Sequence, residues 1–265
     1  MYNYLLFIHE NNITNKINSN YKKLGETIRQ FYIYEYMPMR SKILSMKFDE
    51  DHKDNFRIAT NIFNDYYTKL VDFRKKYGIN SQSKWDSTFL EEVSSYLFKD
   101  IPEIKTGEYG IFNKRVYAGL KINSSKHIEI ITKDVDFCIG KKVKVTIEKQ
   151  DPVELLIPIV AVEVKTYLDA TMFGEVKSSS KSIRSATPNS KTYVLMGYKS
   201  LGNEHIIAAR QDSTLTEMFV LQAGEDEPFD YRVIYSYWKE ISESISNISL
   251  DENIKVPGRL LRVEK

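Results

Sequence analysis

Apolar residues recur every three to four positions from Asp54 to Tyr77. Phe56, Ala59, Ile62, Phe63, Tyr66, Tyr67, Leu70 and Phe73 make one stripe, the signature of an amphipathic helix. Gly78 is placed to end it, since glycine tolerates the left-handed conformation that closes a helix. The stretch from Tyr21 to about Met46 carries no helix breaker except Gly25 and Pro38, so it predicts helix interrupted at Pro38. A further helix spans Asp86 to Phe98, with Phe89, Leu90, Val93, Tyr96 and Leu97 as its apolar face. Glu92 borders that face. Glu91 lies nearly opposite it, and Thr88-x-x-Glu91 fits a capping box.

Residues 101–123 are Gly-rich and mixed and predict an irregular connection, with room for a hairpin. Its Lys114 and Arg115 could touch phosphate, although a solvated loop charge is the simpler expectation. The period then falls to two. His127–Thr132 alternates weakly, Asp134–Gly140 clearly, and Val143–Glu148 again, with Gly140-Lys-Lys142 as a turn. Lys149 to Glu154 is a polar loop. Ile157-Pro-Ile-Val-Ala-Val-Glu-Val-Lys165 is short, β-branched and apolar, as a fully buried strand should be. Asp169 can cap a helix from Ala170 to about Ala186, with Pro188 just beyond it. Thr192–Gly197 and Glu217–Gln222 read as strands, Tyr231 to about Ile248 as a helix, and the end around Pro257 and Gly258 as a loop or tail. Helices, then a meander, then a strand–helix–strand crossover predict an α/β fold: a mixed central β-sheet flanked by helices, with a helical N-terminal region. No Pro-, Gly- or Ser-rich linker divides the chain. One domain, 1–265, is therefore expected, with residues 1–80 helical and 85–245 as the core.

The Ile157 strand ends abnormally for its kind. Glu163 and Lys165, two apart, leave the same face. Charges closing an apolar run cost free energy unless they are paired, metal-bound or at a cleft. Asp136 begins a strand that adjacent pairing can bring beside them. Two carboxylates held close repel each other. A hard cation relieves the repulsion, and Mg²⁺ is commonly held by one or two carboxylates plus water and phosphate oxygens. The Val164 carbonyl is a further candidate ligand. Such an ion polarises a scissile phosphate and helps generate hydroxide, while Lys165 could orient water or stabilise charge on phosphoryl oxygens. On spacing alone, Glu-x-Lys is common, and most examples are cross-strand salt bridges. On the next helix Lys177, Lys181 and Arg184 fall at i, i+4 and i+7, beside an apolar stripe of Phe173, Val176 and Ile183. They are either a solvated face or phosphate contacts.

Composition narrows the field. Lys and Arg number 38 against 36 Asp and Glu, so no global basic charge marks the chain, and a nucleic-acid partner needs a local basic surface. Cys138 is the single cysteine, which excludes an intrachain disulfide and a multi-Cys zinc site and fits a cytoplasmic protein. The apolar run at the N-terminus is too short for a signal peptide or a membrane span. His9, His52, His127 and His205 have no metal-ligand spacing, and neither a P-loop nor GxGxxG occurs.

A helix with glutamate, then Asp136-Phe-Cys-Ile-Gly140, then Val160-Ala-Val-Glu-Val-Lys165, then a helix, resembles the PD-(D/E)xK nuclease superfamily. Val135 stands where the motif has proline. Phe89-Leu-Glu-Glu-Val93 with Tyr96-Leu-Phe98, Glu163-Val-Lys-Thr-Tyr-Leu-Asp-Ala-Thr-Met-Phe173, and Met218-Phe-Val-Leu221 before Trp238-Lys-Glu240 are similar to restriction endonucleases of the BbvCI and DdeI group. The likeness covers roughly 85–245, and residues 1–80 add nothing to it. It implies type II cleavage: Mg²⁺-dependent hydrolysis of double-stranded DNA at a specific sequence, with a homodimer or a related second subunit so that each site cuts one strand. It implies Asp136 and Glu163 as metal ligands and Lys165 as the catalytic lysine. A glutamate of the first core helix often joins them. The helix-face argument favours Glu92 over Glu91, and Asp134 is the fallback ligand. Rival readings are another PD-(D/E)xK nuclease, of repair or of a mobile element, and a non-catalytic DNA-binding subunit whose cluster is only a salt bridge.

Overall fold

The computed structural model describes residues 5–80, 83–124, 127–146, 151–211 and 214–246. The tail around Pro257 and Gly258 and the start of the polar loop at Lys149 lie outside them. The N-terminal region is helical: α1 (Ile8–Asn18), α2 (Gly25–Phe31), α3 (Met37–Ser45) and α4 (Lys53–Tyr77). Pro38 has no N–H to give the carbonyl of Tyr34. The chain absorbs this as a π turn, Tyr32–Tyr36, and continues helical into α3 instead of breaking. Gly78 closes α4 at φ 58°.

The helix α5 (Ser87–Leu97) is buried on every side, from Thr88 to Leu97. The capping box does not form: Asp86 precedes the helix, and Thr88 lies within it, its hydroxyl donating to the Lys84 carbonyl. The polar residues of α5 are matched by its neighbours. Ser95 accepts from the Leu6 amide, and Ser94 pairs with the Tyr237 hydroxyl of α9 (Tyr231–Ser246). A short helix, α6 (Pro102–Lys105), follows.

The main sheet has the order β1 (Gly110–Phe112), β4 (Phe137–Val145), β5 (Val153–Leu168), β6 (Lys191–Lys199), β7 (Glu217–Val220). The first three strands are antiparallel and the last three parallel, so the sheet is mixed. The parallel half is the strand–helix–strand unit expected from the sequence. α7 (Ala170–Ala186) links β5 to β6, and the Asp169 carboxylate accepts the Met172 amide at its start. α8 (Asn203–Gln211) precedes β7.

The meander differs. β2 (Val116–Ile122) and β3 (Ile128–Lys133) form a separate two-stranded sheet, so part of the Gly-rich connection is strand. Gly140-Lys-Lys142 is not a turn: β4 runs straight through it and pairs directly with β5. Gly140 is there because a side chain would not fit. A Cβ would collide with the Ile157 carbonyl oxygen, at the bulge between the Ile139 and Gly140 pairings.

Alternate residues of β5 face two cores. Val160, Val162 and Val164 join α1–α5 and α9 in one continuous cluster. The opposite face is covered by α7: Ala161 packs with Cys138 and Ile183, and Val194 and Met196 pack with Phe173 and Val176. The side chains of Glu163 and Lys165 emerge on this second face.

Candidate active site

The register Phe137↔Val162 brings Asp136, one residue ahead of β4, opposite Glu163. Glu163 and Lys165 share the face of Ala161 by the two-residue period. The three side chains converge. The Lys165 Nζ is 3.1 Å from Asp136 Oδ2 and 3.1 Å from Glu163 Oε2, and the Val164 amide donates to Asp136 Oδ2 at 2.8 Å. All three are half-buried. In a strand an amide and its own carbonyl leave the same edge, so the Val164 carbonyl is on the Asp136 side.

Electrostatics follow from burial and crowding. Burial, then the Asp136 charge, holds the Glu163 carboxyl above its usual range. Burial alone would lower the Lys165 ammonium, but Asp136 and Glu163 outweigh it and hold the group charged. Two carboxylates share one ammonium here, and one of them is reluctant to ionise. That donor set fits a hard divalent cation, which binds through one or two carboxylates and completes its shell with carbonyl, water and phosphate oxygens. Among the described residues no group of three or more His, Cys, Asp or Glu side chains is close enough to hold a metal by itself.

The helix glutamates are placed differently from the helix-face expectation. Glu92 is fully buried away from the cluster. Its Oε2 accepts the His9 and Glu10 amides at 2.8 and 3.2 Å, and its Oε1 accepts the Tyr36 and Tyr96 hydroxyls. It ties the start of α1 to the π turn ahead of α3 and to α5 itself. Glu91 is the residue that senses the cluster. Burial, then Asp136, pushes its carboxyl up to about 8, while Lys84 and Lys165 pull it down. Choosing between the two by helix face requires a wet face on α5, and there is none. Asp134 is exposed in the link between β3 and β4, so it shares no strand face with Asp136. On α7, Phe173, Val176 and Ile183 face the sheet. Lys177 and Arg184 are half-buried beside them and Lys181 is exposed, on the helix that covers the cluster's own sheet face.

The model of the Bpu10I restriction endonuclease family matches residues 82–223, from just ahead of α5 to just past β7. The chain belongs to that family. As a Bpu10I-family restriction endonuclease it is a DNA-binding hydrolase, a site-specific deoxyribonuclease, of a class that generally uses a divalent metal ion. A solved structure described as the native BbvCI A2B2 tetramer at low resolution matches with a TM-score of 0.73 at 16% identity. The match covers 92% of this chain and 98% of that one, so the shared fold extends through the N-terminal helices. No curated protein matches the chain. Among the described residues no helix is long and apolar enough to cross a membrane.

Proposed function

We propose that this chain is a type II restriction endonuclease that hydrolyses double-stranded DNA with Mg²⁺ held by Asp136, Glu163 and the Val164 carbonyl. The observation that carries this reading is the meeting of the Asp136 and Glu163 carboxylates on the Lys165 ammonium, 3.1 Å from each. Bound there, Mg²⁺ would withdraw charge from the scissile phosphate and ease deprotonation of water. The chain's own residues do the rest. Lys165 donates to the attacking water or to a phosphoryl oxygen as charge develops there. The rigid apolar body of β5 keeps Lys165 and Glu163 in register with Asp136. Glu91, rather than Glu92, completes the acidic site from α5. Lys177, Lys181 and Arg184 offer phosphate contacts from α7. Water attacks phosphorus in line, the P–O3′ bond breaks, and the 3′ oxygen takes up a proton, leaving a 5′-phosphate and a 3′-hydroxyl.

In this reading residues 1–265 act as one nuclease domain in the cytoplasm. Because one chain carries one such site, cutting both strands requires a second copy or a related subunit. The test is digestion of plasmid or phage DNA with Mg²⁺ by wild type, Lys165→Ala and Glu163→Ala. Discrete bands that both variants lose are expected. Smeared or structure-selective products would indicate a different nuclease activity. Failure to cut with any divalent ion, with DNA binding intact, would reduce the cluster to a salt bridge.

A further inference from the structure

Two basic residues stand beside the acidic cluster with no role assigned so far. Lys114 and Arg115 form the link between β1 and β2, and both are exposed. The Lys114 amide donates to the Val135 carbonyl at 2.8 Å, which pins the link to the residue just ahead of Asp136. Asp136, the next residue, stands opposite Glu163, so the link lies alongside the acidic cluster.

Three further observations point to a ligand. Lys114 sits at φ 69°, a conformation lysine adopts at a cost and glycine does not. Such strain persists where the position of the side chain matters. Second, Lys114 and Arg115 line a cavity of about 370 Å³ with Phe112, Lys142, Glu154 and Leu156. Phe112 and Leu156 pack with Cys138 and Ala161, and Leu6, which also lines the cavity, packs against the opposite core, so the cavity borders both faces of the sheet. Third, the cavity's one acidic lining residue is already engaged: Glu154 pairs with Lys142 at 2.7 Å. Among the described residues neither Lys114 nor Arg115 has an ion-pair partner within 4 Å. Asp134, across from Arg115 if the β2–β3 register is extended, makes none with it.

We infer that the Lys114–Arg115 turn is a DNA phosphate site, gripping the backbone next to the phosphate that is cut. The inference rests on the nuclease reading above, and it deepens it by assigning the contact that holds the strand against the acidic cluster. Two cations without an ion-pair partner among the described residues, set beside two carboxylates, have a physical logic. The carboxylates repel a polyanion, and the turn supplies the compensating charge at its edge.

The test separates charge from fold. Lys114→Gly removes the ammonium but suits the left-handed backbone and keeps the amide that binds Val135. Its thermal midpoint is expected to equal or exceed that of wild type. Binding of a labelled mixed-sequence duplex, without added divalent ion, should weaken several-fold in Lys114→Gly and in Arg115→Ala. The slope of log affinity against log salt should fall by about 0.9 for each phosphate no longer neutralised. Lys114→Arg should keep the wild-type slope. Wild-type slopes in both Lys114→Gly and Arg115→Ala would overturn the inference even if the enzyme cuts normally. A wild type that binds duplex with the expected slopes but never cuts would instead overturn the nuclease reading. A wild type that binds no duplex would overturn both.

Discussion

Glu91 and Glu92 are adjacent on α5, both are buried, and they serve different neighbourhoods. Glu92 closes a hydrogen-bond network with α1 and the π turn at Tyr36, whereas Glu91 shares the field of Asp136 and Glu163. Their substitutions should separate cleanly. Glu92→Ala strands two amides and two hydroxyls in the core, each costing about 1–3 kcal/mol when unmet, so the urea midpoint should fall sharply. Glu91→Gln should leave the midpoint near wild type and cut cleavage at least tenfold. Full cleavage by Glu91→Gln would remove it from the site.

The Glu92 network also predicts a pH dependence. Burial raises the Glu92 carboxyl to about 7 against the opposing donors, and burial lowers His9 to about 3. A carboxyl raised in the folded state contributes stability that is full below its unfolded value, about 4.5, and is lost as pH rises through 7. A lowered histidine contributes stability that is full above about 6.5 and is lost as pH falls towards 3. The two oppose each other between about 4.5 and 6.5. The stability deficit of Glu92→Gln relative to wild type should therefore shrink by about 1–3 kcal/mol from pH 4.5 to pH 8, read from urea titrations. A deficit that grows with pH would mean that the four donors outweigh burial and hold Glu92 charged.

Metal binding can be read without catalysis. Mg²⁺ that binds only the folded protein raises its thermal midpoint by mass action. The shift should be lost in Asp136→Asn and Glu163→Gln. It should persist or grow in Lys165→Met, which removes a competing cation from the same carboxylates, even though turnover disappears. A Lys165→Met protein that cuts at the wild-type rate would sink the role given to that lysine.

Gly197 lies on β6 between the Lys165↔Met196 and Tyr167↔Tyr198 pairings, against Thr166 of β5. A Cβ there would collide with the Thr166 carbonyl oxygen and lie 3.0 Å from Gln222 Oε1. Gly197→Ala should spread the two strands, cost about 1–3 kcal/mol and slow cleavage. Unchanged melting would show that the strands yield without penalty.

Much of the fold was legible from local chemistry. The stripe of α4, its Gly78 stop, and the Asp169 cap of α7 each follow from residues within one or two turns. Glu163 and Lys165 were legible because charge at the end of an apolar strand is costly. What failed depended on distant partners. Glycine marks a turn or a close approach with the same letter, and only the Ile157 carbonyl, reached across the sheet, makes Gly140 the second. Choosing between Glu91 and Glu92 required knowing that α1 and the π turn at Tyr36 cover the side of α5 that periodicity alone leaves to solvent.

That covering has a mechanical consequence. His9, Phe63 and Tyr66 from the first eighty residues rest directly on Phe89, Tyr96 or Thr88 of α5, whose Glu91 senses the acidic cluster. The N-terminal helices are thus the far wall of the catalytic core. Calorimetry should register a single cooperative transition, and a chain shortened to begin at Lys84 should fail to melt cooperatively. On this arrangement a lesion in α1 is expected to reach the acidic cluster through α5, and to slow cleavage as well as lower the melting midpoint.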